Sequence, residues 1–338
     1  MNSEKNFYNP QFTHIYIEES IKNHPKTKEI LAHFPNAICI SISHYKDLFY
    51  RKHQNPSAQM LSKSLILAAK ETQTVYPGAP VCQGFGEKHF YYCTTAMNCL
   101  FDCDYCYLKG MYPTSHMVLF VNQEEIFHEV ESYLAKHPMY LCIAYDTDLL
   151  AMEAFTGFLK DWETFTLQHP DLTIEVRTKA APSHYFQERT PSPQIIYAFT
   201  LSPEPIISKN EHFTPSLARR LACIQEAIQL GYRTRLCFDP MIYSKTWQSD
   251  YQEMIKTVVA SLDLSAIPDI SVGSFRISQE YMKQMRRAFP NRAIVQFPYE
   301  NDHGVYHYAT DLTIQMENFL IQELAPYFSS EQIFLWKD

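Results

Sequence analysis

Cys99-Leu100-Phe101-Asp102-Cys103-Asp104-Tyr105-Cys106-Tyr107 places three cysteines at C-x3-C-x2-C spacing, with an aromatic residue directly after the third. The spacing lets three thiolates of one loop reach one metal centre, and soft thiolate ligands suit iron–sulfur clusters or zinc. The number of ligands discriminates between them. A structural zinc site takes a closed set of four, whereas a [4Fe–4S] cluster on three cysteines leaves one iron open for a substrate or cosubstrate. Two plainer readings stand beside the cluster: a zinc site completed by Cys93 or a distant histidine, and three core cysteines grouped by chance. Cysteines packed this closely in a reducing compartment more often bind metal than serve structure, which favours a metal.

Outward from this loop, the chain has 338 residues at 46% apolar composition, enough to bury a substantial core as one large α/β barrel or two domains. A net charge of −8 argues against a surface that coats nucleic acid generally, and leaves room for a local basic groove. Nine cysteines show no even-spaced disulfide framework. The N-terminus lacks a charged-then-apolar leader and no apolar run approaches membrane-spanning length, so a cytoplasmic location is expected. No internal repeat or low-complexity run is present.

Residues 1–85 read as a small α/β extension, with strands at 13–17, 38–42 and 64–69 and a helix from Pro25 to about Phe34. Arg51-Lys52-His53 could touch phosphate, although so short a basic run is usually a solvated loop. From about residue 86 strand and helix alternate. Strands are expected at 90–94, 139–145, 172–178, 195–200, 233–238 and 269–275. Helices are expected at 124–136, 149–168, 183–188, 215–230, 248–263 and 278–289, with Gly231 as a stop residue. Six such units over 86–290 predict a partial (β/α)6 TIM-like barrel, followed by a hairpin-like segment and helix over 291–338. Chemistry in such barrels sits at the C-terminal strand ends. That rule points to residues 145–148, Lys179, Thr200 to Ser202, Asp239 and Arg276.

The cysteine loop resembles the motif of the radical S-adenosylmethionine (SAM) superfamily. There the open iron chelates SAM and reductive cleavage yields a 5′-deoxyadenosyl radical. Within that superfamily the chain is similar to the spore photoproduct lyase family. The likeness rests on Cys103-Asp104-Tyr105-Cys106-Tyr107-Leu108, Val121-Asn122, Asp146-Thr147-Asp148 and Arg177-Thr178-Lys179. It extends through Gly231-Tyr232, Pro240-Met241-Ile242-Tyr243 with Trp247, and Arg276 ahead of a basic helix ending in Phe289-Pro290. The opening Ile15-Tyr16-Ile17-Glu18 aligns too. This resemblance implies a radical SAM barrel and a lyase that repairs a methylene-bridged thymine dimer in DNA. It implies Cys99, Cys103 and Cys106 as ligands of a [4Fe–4S] cluster, and Tyr105 and Tyr107 near SAM. Lys179 would meet SAM's polar groups, and Thr200 would stand where the family has a SAM-contacting serine. A reductant such as flavodoxin or ferredoxin would complete the system. The alternative is a divergent radical SAM enzyme acting on a non-DNA or nucleotide-like substrate.

Three departures from the family pattern matter. Tyr145 stands where the family carries the cysteine that donates a hydrogen atom to the product radical. Its phenol could do so in a relay with Tyr105 and Tyr107, or the ring could simply fill the barrel. Cys142, three residues away along a strand, points to the other face. The segment 297–308, where the family has a basic DNA-gripping hairpin, keeps Gly304 and its aromatics but has lost the arginines and lysines. Asp239 replaces a small residue beside SAM, where it could bind ribose hydroxyls or sit in a structural salt bridge.

Overall fold

The computed structural model describes residues 12–79 and 82–336. Its larger sheet has eight strands, in the spatial order Ile333–Leu335, Ile270–Ser274, Arg233–Met241, Ile195–Thr200, Leu172–Thr178, Met139–Cys142, Phe90–Cys93 and Val75–Pro77. Every neighbouring pair runs parallel except the last. All six expected barrel strands are present, side by side in chain order. Ile195–Thr200 is buried at all six positions and Met139–Cys142 at all four, the continuous apolar reading of a strand covered on both faces. No pairing joins the two edges among the described residues, so the barrel is partial.

Several features differ from the sequence reading: the helix expected over 183–188 is only a 3-10 turn, Phe186–Glu188, and helix Glu204–Asn210 and strand Met117–Phe120 are additional. The helix expected over 149–168 is broken into Leu149–Thr156 and Phe158–Leu167 by Gly157, whose φ of +63° ends the first helix. Glu153 then accepts the backbone N–H groups of Leu159 and Lys160 at 2.8 and 3.1 Å, which satisfies the opening of the second. The seventh parallel strand, Ile333–Leu335, pairs with Ile270–Ser274 and was too short to stand out as a pattern.

A second, five-stranded sheet holds Ile38–Ile42, His14–Glu18, Leu65–Ala68, Met117–Phe120 and Ala96–Met97. It therefore draws on both the N-terminal extension and the chain around the cysteine loop. Buried Glu18 ties its loops together, accepting the N–H of Tyr45 at 2.6 Å and of Ala69 at 2.9 Å. Asn122 does the same at Lys70, accepting its N–H and donating to its carbonyl at 2.8 and 3.0 Å. Phe34 meets Phe155 edge to face at 5.4 Å, and the two sheets share one continuous apolar core.

The hairpin expected near 297–308 is formed by Glu300–Asp302 and Val305–His307, with Arg276–Ser278 as its third strand. His303 and Gly304 make the turn at φ +43° and +86°, which explains why a glycine sits there. Among the described residues no helix is long and apolar enough to cross a membrane.

Candidate active site

The cysteine loop is held in place from three directions. Its short strand Asp102–Cys103 pairs antiparallel with Glu211–His212, and the Asp104 N–H reaches the Asn210 carbonyl at 2.8 Å. Lys63 donates its ammonium to the carbonyls of Cys99, Leu100 and Phe101 at 2.8, 3.1 and 3.4 Å. After the third cysteine, the turn of helix Leu108–Met111 lies so close to helix Gln279–Ala288 that a Cβ on Gly110 would come within 2.2 Å of the Tyr281 carbonyl oxygen. Only glycine fits there.

Cys99, Cys103 and Cys106 are all free thiols; Cys103 is buried and the other two half-buried. Burial pushes each thiol up, Cys99 to about 12, so without a metal they stay protonated. Lys63 opposes this at Cys99, and Lys179 at Cys103 and Cys106. Three soft donors with nearby cations suit an anionic thiolate cluster, whose assembly displaces the thiol protons. Among the described residues no three His, Cys, Asp or Glu side chains converge tightly enough for a single metal ion. A cluster that takes one thiolate per iron spreads its ligands more widely.

Lys179 lies just past strand Leu172–Thr178, and Asp148 fixes it there. Asp148 caps helix Leu149–Thr156 by accepting from the Ala151 N–H at 3.1 Å, and also accepts from the Thr178 hydroxyl and the Lys179 N–H, both at 2.8 Å. One carboxylate thus staples a strand end to a helix start, a physical reason for Asp148 within Asp146-Thr147-Asp148. The Lys179 ammonium stands 5.5 Å from the centre of the Tyr105 ring. Burial would lower its pKa, but Cys103 once it is a thiolate, together with the Glu211 carboxylate, outweighs this and keeps it above the ordinary value.

Tyr105 donates its hydroxyl to Glu211, which also receives Ser202 at 2.7 Å and forms a fully buried ion pair with Arg220. Burial alone would raise the Glu211 carboxyl; Arg220 and Lys179 prevail and hold it down to about 2. Arg220 reaches the Thr200 carbonyl at 3.0 Å, so Thr200 belongs to this cluster through its backbone.

Tyr107 points elsewhere. Its hydroxyl donates to the backbone carbonyl of Tyr145 at 2.5 Å, with ring centres 6.1 Å apart. Tyr145 is half-buried and stacks on Tyr92 at 4.5 Å; Tyr92 stacks on Tyr76 at 5.3 Å, and Tyr281 stacks on Tyr107 at 6.3 Å. The structure therefore brings Tyr145 and Tyr107 together, while Tyr105 stands apart with Glu211 and Lys179. Beside them Asp146 is buried and accepts from the Thr94 hydroxyl at 2.9 Å. Burial pushes its carboxyl above the ordinary range. The Tyr107 phenol is raised far by burial and by Asp146, so it keeps its O–H at any ordinary pH.

Cys142 faces the other way, its thiol 3.9 Å from Glu175. Asp239 is gripped by Arg276 through two contacts of 3.2 and 3.1 Å. Sequence reasoning missed Lys63, Glu211, Arg220 and the Tyr92–Tyr76 stack. Lys63 and Glu211 have partners far away in the chain, Arg220 reads as one more charged position of a helix, and the tyrosines read as ordinary strand residues.

A partial parallel barrel that carries a three-cysteine loop at its C-terminal strand ends defines a radical SAM protein. A family model described as spore photoproduct lyase matches residues 8–301. The chain belongs to the spore photoproduct lyase family. It is 22% identical to the spore photoproduct lyase of Clostridium acetobutylicum over 251 residues, which cover 70% of this chain and 73% of that protein. In fold it is similar to a spore photoproduct lyase mutant with dinucleoside spore photoproduct, with a TM-score of 0.81, 18% identity and coverage of 97% and 99% of the two chains. A second mutant structure, with bound AdoMet and dinucleoside spore photoproduct, gives a TM-score of 0.79 and 17% identity over 96% and 98%.

Proposed function

We propose that this protein is a radical SAM lyase that repairs the methylene-bridged thymine dimer in DNA, using a [4Fe–4S] cluster on Cys99, Cys103 and Cys106. The carrying observation is the match of the family model over 8–301, in a chain whose three thiols sit on one loop beside Lys179. When bound, cluster and SAM supply the 5′-deoxyadenosyl radical that takes hydrogen from the substrate.

The protein's own residues bind, orient and hold hydrogen. Lys179, kept cationic and pinned by Asp148, would offer its ammonium to SAM's polar groups, while Tyr105 beside it is locked by Glu211. Thr200 lines the neighbouring strand end, and Asp239, both of whose oxygens are held by Arg276, would be the acceptor for a ribose hydroxyl. Tyr145 carries a phenolic hydrogen atom in the family's cysteine position. Tyr107, held against its backbone, is the adjacent phenol from which that hydrogen can be replaced. A one-electron donor such as flavodoxin or ferredoxin would reduce the cluster.

One observation favours a second reading. The hairpin that would grip DNA exposes Glu300 and Asp302 and carries no lysine or arginine on its two strands. A smaller, nucleotide-like substrate would not need that grip.

The deciding experiment is anaerobic reconstitution with iron and sulfide, then dithionite and SAM, with a lesion-bearing dinucleoside and a lesion-bearing oligonucleotide. Repaired thymine together with 5′-deoxyadenosine is the expected result. Deoxyadenosine without repair of either substrate would overturn the lyase reading and leave the radical SAM chemistry.

A further inference from the structure

The acidic hairpin raises the question of where a DNA strand would be held. A groove of about 1250 Å³ runs between the 50–61 segment, helix Leu108–Met111 and helix Gln279–Ala288. It exceeds the roughly 300–1,000 Å³ typical of small-molecule pockets, so its size suits a length of polymer. Arg51, Lys52 and His53 stand on one bank and Arg287 on the other, all exposed. No carboxylate pairs with Arg51, Lys52 or Arg287 among the described residues. Glu280 is the one acidic side chain among the described residues lining the groove, and it is joined to Lys283 at 3.4 Å.

The groove also holds apolar surface that the fold leaves uncovered. Tyr50 is 48% exposed and Leu61 is 91% exposed. Tyr281 lines it, and its ring stacks on Tyr107, which in turn holds the Tyr145 carbonyl. The groove therefore shares a wall with the tyrosines of the active site. Free cations for phosphates, with an exposed ring beside them for a base, are the physical footprint of a single nucleic-acid strand. In a chain of net charge −8, such a concentration of unpaired cations marks where a polyanion is tolerated.

We propose that this groove holds the DNA strand flanking the lesion, with Arg51, Lys52 and Arg287 on its phosphates and Tyr50 against a base. The identity of the strand as lesion-bearing DNA rests on the reading given above. The groove takes over the anchoring that the Glu300–His307 hairpin has lost.

The test uses the full-length protein carrying Arg51→Glu, Lys52→Glu and Arg287→Glu together. A second triple variant, Lys22→Glu, Lys160→Glu and Lys256→Glu, makes the same charge change at exposed sites outside the groove. Anisotropy of a labelled, undamaged single-stranded oligonucleotide is followed over a series of salt concentrations. Each phosphate contact to a single strand contributes about −0.7 to the slope of log K against log salt, so the groove variant should lose about 2 from that slope. The outside variant should keep the wild-type slope. An unchanged slope in the groove variant, an equal loss in both variants, or no binding by wild type would overturn the proposal.

With reconstituted enzyme, the groove variant should still repair a dinucleoside lesion, which has no flanking strand, and lose at least tenfold on an oligonucleotide lesion. Equal repair of both substrates by the groove variant would also overturn the proposal. Failure of wild type on both lesions would instead refute the lyase reading, and the salt slope would still decide the groove.

Discussion

The ring of Tyr145 lies on the ring of Tyr92 with centres 4.5 Å apart and planes 24° from parallel, and its backbone carbonyl receives the hydroxyl of Tyr107. A side chain that only filled the barrel would need no phenolic oxygen, whereas the contact from Tyr107 is to the backbone and survives a change of side chain. Phenylalanine keeps the stack and removes only the hydroxyl group with its transferable hydrogen. Tyr145→Phe should therefore leave SAM cleavage near wild type and lower repaired product per deoxyadenosine by about tenfold or more, a loss confined to a step after abstraction. Product analysis by chromatography decides it. An unchanged product ratio would make Tyr145 a packing residue.

The cluster assignment is tested on a ligand and on a residue that orients it. Cys103→Ala should abolish the charge-transfer absorption of the reconstituted protein and its SAM cleavage; retention of either would remove Cys103 from the ligand set. Lys63→Met is the subtler change. The ammonium holds three successive carbonyls of the loop, so its loss should weaken cluster retention by about 10–100-fold, as for other residues that orient metal ligands. Iron and sulfide content after desalting is the measurement.

Asp148 offers a separation of binding from folding. Its carboxylate accepts one helix-capping bond and two bonds at the end of the strand that carries Lys179. Asp148→Ala should cost about 0.5–2 kcal/mol of stability as a lost cap. It should also raise the KM for SAM, because the Lys179 backbone is released. Asp148→Asn keeps acceptor capacity at the cap and should recover most of the stability. A normal KM in the alanine variant would show that Lys179 is placed by other contacts.

The barrel was legible in the sequence because each of its six strands is a short apolar run followed by a helical pattern, and every one of them appears in the larger sheet. Parts whose meaning lies in distant pairing were not. Lys63 meets the loop 36 positions later and Tyr105 meets Glu211 across 106, separations that no local pattern encodes. Met117–Phe120 sits inside the barrel segment of the chain yet pairs with Leu65–Ala68 of the other sheet. The three cysteines were readable as candidate ligands because the signal lies in their own close spacing. Tyr92 was not, because on a strand a stacking partner and a core residue look the same.

The last test concerns a charged network inside the barrel. Arg235 donates to Glu175 at 2.7 Å and to the Tyr140 hydroxyl at 2.6 Å, pairs with Asp269, and lies 3.4 Å from the centre of the Phe85 ring. Burial alone would raise the Glu175 carboxyl, but Arg177 and Arg235, with the Tyr140 hydroxyl, hold it below the ordinary value. A carboxyl depressed in the folded state adds stability above its unfolded pKa and loses it as pH falls toward the folded one. Thermal melts should therefore fall through the range below about pH 4.5, and Glu175→Gln should flatten that part of the curve. Arg235→Met strips Asp269 of its guanidinium and leaves Glu175 with Arg177 alone, and should cost about 3–5 kcal/mol at neutral pH. Part of that loss should return in Arg235→Met/Glu175→Gln, because the double change removes a stranded charge along with its partner. If the double variant were less stable than Arg235→Met alone, the damage would lie in lost packing against Phe85, and the ion pair would not be what holds this part of the barrel.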